Sequence, residues 1–203
     1  MRFVLLLLIF CFPVSATAQD KMVLILGDSI SAGYGLDLEE GWVHLLRLRL
    51  RDLGYRYDVK NASITGDTTR GAKDRLRRLL GQTQPDLSII ELGGNDGLRG
   101  LSLEEMSANF DTIISELLKT GSQVLLIPMR LPPNYGPLYN DRFDAIYRAL
   151  ALKHEIGLAK FILQDIAEQS ELMQSDGIHP RAEAQPQMLD HVWESLEPLL
   201  VKQ

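Results

Sequence analysis

The chain has 203 residues with 27 acidic and 21 basic side chains, which gives a formal net charge of −6. An acidic surface has no electrostatic attraction for nucleic acid or for an anionic membrane, so both partners are excluded and a small-molecule substrate is expected. The single cysteine, Cys11, excludes a disulfide framework.

Residues 1–18 have the pattern of a secretory signal peptide. Arg2 precedes an apolar run over 3–14, and Ala16-Thr17-Ala18 is a small-x-small cleavage signature. The run is shorter than the roughly 20 apolar residues that span a bilayer, so we favour cleavage over a membrane anchor. We predict an exported protein, periplasmic if the source has an outer membrane and otherwise secreted. Cleavage would also remove Cys11, so the mature chain would have no thiol for metal binding or catalysis.

Short apolar runs alternate with stretches of helical periodicity along residues 19–203. Strands are predicted at 22–26, 55–62, 87–92 and 124–127, with a short fifth strand at 161–163. Such alternation predicts α/β architecture with three layers, in which about five parallel strands carry helices on both faces. No internal repeat or Gly/Ser-rich linker interrupts the pattern, so a single domain over 19–203 is expected.

Capping residues mark the predicted helices. Asp37 with Glu40 three residues later predicts a helix start, followed by a buried stripe: Val43, Leu46, Leu50 and Leu53. The helix over 68–80 is charged, and its basic residues are interpreted as a solvated face: Arg70, Lys73, Arg75, Arg77 and Arg78. Ser102 with Glu105 forms a second capping box, and the last helix covers 188–196.

Glycine-bearing polar segments follow the first three predicted strands, at 27–31, 61–67 and 93–96, and a fourth at 176–180 precedes the last helix. In an open parallel sheet, ligands bind beyond the carboxyl ends of the strands. The polar segments would therefore meet at one edge of the sheet, where we look for the site residues.

Ser29 is the candidate nucleophile. A serine hydroxyl reacts readily only when a base takes its proton, and a strand-to-helix turn also offers backbone amides to a developing oxyanion. An N-cap serine is an equally good interpretation of the local sequence. The nucleophile-elbow pattern G-x-S-x-G is absent, because Ser31 occupies the last glycine position.

Asp176 and His179 are the candidate acid and base. Residues three apart in a turn lie on the same side, so the carboxylate can accept from one imidazole nitrogen and leave the other free as a general base. The alternative is a capping aspartate beside a surface histidine, and a lone Asp-x-x-His pair favours it. Gly177 and Pro180 are typical of a rigid loop, which weakens the preference for the capping alternative over the acid–base pair.

Gly66 and Asn95 are candidate donors to an oxyanion. A glycine lets its amide approach a substrate oxygen closely, and an asparagine side chain is a neutral donor. Taken singly, a turn glycine and a loop asparagine are the simpler explanations. Their positions after consecutive strands favour a shared role.

Together these segments resemble the SGNH (GDSL-like) hydrolase superfamily. Its four ordered blocks are matched by Gly27-Asp28-Ser29-Ile30, Gly66, Gly93-Gly94-Asn95-Asp96 and Asp176-Gly177-Ile178-His179-Pro180. Longer stretches at 25–29, 61–68, 91–100, 130–132 and 135–136 resemble its bacterial periplasmic branch of thioesterase I, lysophospholipase and arylesterase. Ile30 stands where the name-giving motif has leucine, and that side chain is not a reacting group.

The resemblance implies a flavodoxin-like fold and a role for each matched residue. Ser29 would be the nucleophile and one amide donor to the oxyanion. Gly66 would be a second amide donor and Asn95 a side-chain donor. Asp176 would orient His179, the base. Fatty acyl thioesters, lysophospholipids and simple esters are the implied substrates. No cofactor or metal enters this scheme, and nothing in the sequence demands more than a monomer.

An acyl chain needs an apolar trough beside the nucleophile. Four apolar side chains in or beside the polar segments are candidates for it, although ordinary loop packing explains them equally well: Leu98, Leu131, Pro132 and Ile178. Two other functions stay open. One is deacetylation of a carbohydrate by the same residues, and the other is a non-catalytic flavin or phosphate binder. The phosphate-binding patterns G-x-x-x-x-G-K-[ST] and G-x-G-x-x-G are absent, which disfavours the binder.

Overall fold

A computed structural model describes residues 20–202 of the chain. The predicted leader over 1–18 lies outside the described residues. Within 20–202, no helix combines the length and the apolar character that crossing a membrane requires.

Five parallel strands form one sheet in the order β2-β1-β3-β4-β5. They are β1 (Lys21–Gly27), β2 (Tyr57–Asn61), β3 (Leu87–Glu91), β4 (Gln123–Ile127) and β5 (Gly157–Leu158). Every residue of β3 is buried, as expected for a central parallel strand covered on both faces. The β2-β1-β3 order reverses direction between β1 and β3, and such a switch point is where open sheets bind ligands.

Seven α-helices cover the sheet. They are α1 (Ser29–Ala32), α2 (Trp42–Asp52), α3 (Thr69–Leu80), α4 (Gly94–Leu98), α5 (Leu103–Lys119), α6 (Pro137–His154) and α7 (Gln185–Leu196), counted within 20–202. Helices α2 and α7 pack together on one face, while α5 packs against α3 and α6 on the other. The predicted three-layer α/β/α fold with five parallel strands is confirmed.

The helical stripes of the sequence match the buried faces closely. In α5 the predicted apolar positions Met106, Phe110, Ile113 and Leu117 are all buried. Ser102 caps this helix as predicted, since its Oγ accepts from the backbone N–H of Glu105 at 3.1 Å. Two rings of α6, Phe143 and Tyr147, pack edge to face and join the same core layer.

Three predictions about helices and strands are wrong. The Asp37–Glu40 pair forms a turn, in which the Asp37 backbone N–H donates to the Glu40 carboxylate at 3.0 Å, and helix α2 begins only at Trp42. Leu53 lies beyond the end of that helix and is 44% exposed, so it does not continue the buried stripe. The fifth strand is Gly157–Leu158, whereas residues 161–163 form a turn after it.

The basic face of α3 is only partly solvated. Arg75 forms an ion pair with Asp67, with Nη2 and Oδ2 2.8 Å apart, and both side chains are largely buried. Lys73 donates from Nζ to Oδ1 of Asn109 on α5 at 2.6 Å. The side chains of Arg75 and Lys73 therefore bind α3 to the preceding loop and to α5. This corrects the prediction that the basic residues of this helix form a solvated face.

Candidate active site

The polar segments beyond β1, β2 and β3 meet at the carboxyl edge of the sheet, as predicted. The backbone N–H of Ile64 donates to the carbonyl of Gly27 at 3.1 Å, and the side chain of Asn61 donates to the carbonyl of Ser31 at 2.8 Å. These two bonds join the segment after β2 to the turn after β1. That turn leads directly into the short helix α1.

Ser29 is the first residue of α1 and does not cap it. Asp28 is the N-cap, since its Oδ1 accepts from the backbone N–H of Ile30 at 3.0 Å. The N-cap interpretation of Ser29 is therefore wrong. As the first residue of the helix, Ser29 also has a backbone N–H without an intrahelical acceptor, which leaves that amide free to face a ligand.

His179 lies between Ser29 and Asp176. Its Nε2 is 2.8 Å from Oγ of Ser29, and its Nδ1 is 2.7 Å from Oδ2 of Asp176. The second carboxylate oxygen of Asp176 accepts the backbone N–H groups of Ile178 and His179, at 2.9 and 3.0 Å. The loop is held in turn by Gln174, whose N–H donates to the carbonyl of His179 at 2.7 Å. Asp176 therefore accepts backbone N–H groups as a capping aspartate does and also contacts the ring of His179, which in turn contacts Ser29.

The charge of Asp176 fixes the tautomer of His179. Burial opposes ionisation of this carboxyl, but hydrogen bonds from the His179 side chain and from two backbone amides outweigh it and lower the pKa of Asp176 to about 2. An ionised carboxylate only accepts, so the ring proton of a neutral His179 resides on Nδ1. The Nε2 lone pair then faces the Ser29 hydroxyl, which is the arrangement a general base requires.

Hydrogen bonds link Asn95 and Gly66 to the turn that carries Ser29. Asn95 is in the first turn of α4 and donates from Nδ2 to Oδ2 of Asp28 at 3.1 Å. Arg99 donates from Nη2 to the carbonyl oxygen of Gly66 at 2.9 Å and to Oδ1 of Asn95 at 3.3 Å. A continuous chain of contacts therefore links the candidate nucleophile to both candidate oxyanion donors.

Two buried carboxyl groups lie beneath these residues. Burial raises the pKa of Asp28 to about 6, although hydrogen bonds from Ile30 and Asn95 oppose the shift. Burial and the nearby Asp28 charge raise the pKa of Glu91 well above its usual value, against the hydrogen bond from Ser31 Oγ at 2.7 Å. Within 20–202, no three His, Cys, Asp or Glu side chains are grouped so as to hold a metal ion.

A cleft of about 500 Å³ opens beside Ser29. All four apolar residues that the sequence singled out as trough candidates line it: Leu98, Leu131, Pro132 and Ile178. Its far wall comes from the segment after β5, including Phe161, Leu163 and Ala167. The cleft thus runs along the carboxyl edge from the end of β1 to the end of β5.

Several residues of the site carried no role in the sequence analysis. The ring of Tyr34 packs against the imidazole of His179, with ring centroids 4.4 Å apart. Glu91 carried a detectable signal, because a charged residue rarely ends an otherwise apolar, fully buried strand without a partner. Arg99 follows Asn95 by four positions, the spacing of neighbours on a helix face, but its bond to Gly66 has no local signal.

Comparison with known proteins finds one matching family model and several similar relatives. The model of the GDSL-like Lipase/Acylhydrolase family matches residues 25–185. Esterase TesA of Pseudomonas aeruginosa is 46% identical over 183 residues, which cover 90% of this chain and 91% of that protein. The arylesterase of Vibrio mimicus is 42% identical over 195 residues, covering 96% of this chain and 97% of the relative.

A third relative is thioesterase 1/protease 1/lysophospholipase L1 of Escherichia coli (strain K12). It is 40% identical over 185 residues, which cover 91% of this chain and 87% of that protein. The crystal structure of TesA superposes with a TM-score of 0.85 at 46% identity, over 89% of this chain and 100% of the solved one.

The family model and the named relatives agree on a hydrolase of acyl esters. The alternative of a non-catalytic flavin or phosphate binder is therefore wrong. Since the family model and the relatives extend over most of the described residues, the chain belongs to the GDSL-like lipase/acylhydrolase family.

Proposed function

We propose that Ser29 is the nucleophile of a two-step acyl transfer in which His179 is the general base and Asp176 orients it. The observation that carries this proposal is the contact of His179 Nε2 with the Ser29 hydroxyl at 2.8 Å, while Nδ1 of the same ring is held by Asp176. A base held in one tautomer within hydrogen-bond distance of a hydroxyl is the arrangement that activates a serine.

The first step acylates the enzyme. His179 takes the Ser29 proton as Oγ attacks the substrate carbonyl carbon, and the carbonyl oxygen becomes an oxyanion. Collapse of the tetrahedral intermediate breaks the bond to the leaving alcohol or thiol, which receives the proton from His179. In the second step His179 deprotonates a water molecule that attacks the acyl-enzyme. Release of the carboxylic acid returns the proton to Ser29.

Three donors would stabilise the oxyanion. They are the backbone N–H of Ser29, the backbone N–H of Gly66 and the second hydrogen on Nδ2 of Asn95, since the first donates to Asp28. Donors fixed before the reaction stabilise the developing charge without having to reorganise, and in many acyl-transfer enzymes this stabilisation contributes most to the rate enhancement. No cofactor or metal takes part in the proposed steps.

Acyl esters and acyl thioesters are the proposed substrates. The apolar side chains of the cleft supply surface for an acyl chain, and Leu131 and Leu163 are buried members of its wall. The names of the relatives point the same way, since they include an esterase, an arylesterase and a thioesterase/lysophospholipase. Export through the leader over 1–18 and a monomeric state stay predictions.

A chain-length series tests the reaction and the substrate class together. With p-nitrophenyl esters from acetyl to octanoyl, we expect kcat/KM to rise with chain length, because each added methylene buried in the trough contributes about 0.8 kcal/mol. A preference for acetyl over octanoyl would favour the carbohydrate O-acetylesterase alternative.

Ser29→Ala is the matched test of the nucleophile. The variant should lose hydrolysis of every ester in the series and should no longer be labelled by a fluorophosphonate, because no hydroxyl remains to form the covalent adduct. Labelling of Ser29→Ala at the rate of the unaltered protein would refute the assignment.

A further inference from the structure

Arg99 contacts the two segments that carry Gly66 and Asn95, the proposed oxyanion donors other than Ser29. Its Nη2 donates to the carbonyl of Gly66 and to Oδ1 of Asn95. Gly66 follows β2 and Asn95 follows β3, and these two strands are separated in the sheet by β1. One guanidinium group therefore bridges two segments that the sheet does not hold side by side.

The amide of Asn95 is held at both ends. Nδ2 donates to the carboxylate of Asp28 at 3.1 Å, and Oδ1 accepts from Arg99 at 3.3 Å. A flipped amide would set its oxygen against the Asp28 carboxylate and its NH₂ against the guanidinium, so both contacts would become repulsive. The pair of contacts therefore leaves a single orientation, in which the free hydrogen of Nδ2 has a fixed direction.

Gly66 is restrained through its carbonyl. Its backbone has φ +78°, a conformation that residues with a side chain rarely adopt, and the guanidinium of Arg99 lies against this position. Holding the carbonyl limits rotation about the residue that also carries the proposed amide donor. Glycine would otherwise be the residue most free to rotate.

A second set of hydrogen bonds, at buried residues, joins the parts of the chain that follow β2 and β3. Asp96 accepts from Thr69, at 2.6 Å from the hydroxyl and 2.9 Å from the backbone N–H, and this links α4 to the start of α3. That contact fixes the elements but does not touch Gly66 or Asn95. Arg99 is thus the group that acts on the donors directly.

Building on the proposed function, we propose that Arg99 is a positioning residue of the oxyanion hole: its guanidinium sets the direction of the Asn95 amide and the position of Gly66. Its charge also polarises the amide of Asn95, which strengthens the remaining Nδ2–H as a donor. Arg99 itself contacts neither the nucleophile nor the base and takes no part in proton transfer.

Arg99→Met removes the bridge and keeps a flexible side chain of similar length. We expect kcat for the octanoyl ester to fall roughly tenfold with KM nearly unchanged, because the lost stabilisation applies to the oxyanion and not to the bound ester. Arg142→Met is the matched control. Arg142 is an exposed arginine that pairs with Glu104 at 2.8 Å, and its loss should leave kcat unchanged.

A double-mutant cycle separates positioning from general stabilisation. In an Asn95→Ala background, Arg99→Met should cost clearly less than in the unaltered protein, because one of its two acceptors is gone. Arg99→Lys keeps the charge but loses the planar guanidinium whose Nη2 contacts both oxygens, so it should recover only part of the lost kcat. Melting temperatures of all variants should agree closely.

The inference is overturned if Arg99→Met behaves like Arg142→Met, if the losses are equal in both backgrounds, if Arg99→Lys is as slow as Arg99→Met, or if the loss of kcat follows a loss of thermal stability. Failure of the proposed function has a different signature. In that case the unaltered protein would not hydrolyse the ester, or Asn95→Ala alone would have no effect.

Discussion

At the scale of a single residue, substitution of Asn95 tests one part of the proposed mechanism, the stabilisation of the oxyanion. Truncation to alanine removes a proposed donor to the oxyanion and leaves the contacts of His179 with Ser29 and Asp176 in place. We expect Asn95→Ala to lower kcat by roughly 10²–10³, since one such donor contributes about 2.7–4 kcal/mol to the barrier. Steady-state kinetics with the octanoyl ester measure the loss, and circular dichroism checks that the fold is retained. Near-normal turnover would exclude Asn95 from the oxyanion hole.

The residues proposed to react were predicted from the sequence, while most of those that support them were not. Ser29, Asn95 and His179 follow strands or lie in glycine-bearing turns, so their local sequence marks them. The supporting contacts join residues far apart along the chain, such as Ser31 with Glu91, 60 positions away, and Asn95 with Asp28, 67 positions away. Pairings of this kind depend on the register of the sheet, which a single sequence does not contain.

At the scale of the elements, strand β3 leads to a prediction about how the stability of the protein depends on pH, because this strand ends in the buried Glu91. Burial raises the pKa of this carboxyl in the folded state, so the folded protein keeps a proton that the unfolded chain releases above about pH 4.5. Stability from this group is therefore fully present below that pH and is lost as the pH rises toward the folded-state value. The loss has a maximum slope of about 1.4 kcal/mol per pH unit.

Glu91→Gln removes this titration and keeps the shape of the side chain. The unfolding free energy of the variant relative to the unaltered protein should therefore increase as the pH rises above about 4.5. Urea unfolding at several pH values measures the difference. Parallel stability curves for the two proteins would contradict an abnormal titration of Glu91. Because the charges of Asp28 and Glu91 interact, the variant also changes the titration of Asp28, and the difference in stability reports the titration of the pair.

The elements were predictable where they are long or fully buried. Strands β1, β3 and β4 are apolar runs, and α5 has a clear apolar stripe, so periodicity located them. The fifth strand was misplaced because only two residues pair with β4, Gly157 and Leu158, and both are half-buried. In the more apolar segment at 161–163, Ile162 and Leu163 are buried although they lie in a turn. Burial without strand pairing therefore produces the same short apolar run in the sequence as a buried strand does.

At the scale of the whole molecule, the order of the strands determines the shape of the cleft. From β1 to β5 the sheet crosses three strand spacings, which is about 14 Å. Ser29 lies at one end of this span and the segment with Phe161 and Ala167 at the other. The sequence predicted the near wall, with Leu98 and Leu131, because those residues adjoin marked motifs. It did not predict the far wall, because that segment contains no motif.

Ala167 tests whether this far wall binds the acyl chain. Ala167→Trp places a large ring in the cleft at an exposed position, so we expect kcat/KM for the octanoyl ester to fall roughly tenfold, since even two methylenes deprived of apolar contact forfeit about 1.6 kcal/mol. Hydrolysis of the acetyl ester should be unchanged, because its acyl group ends close to Ser29. Ala149→Trp, at an exposed alanine of α6 outside the cleft, is the control and should alter neither rate. Equal losses for both esters would mean that the tryptophan disturbs the catalytic residues, and unchanged rates would mean that the acyl chain lies elsewhere.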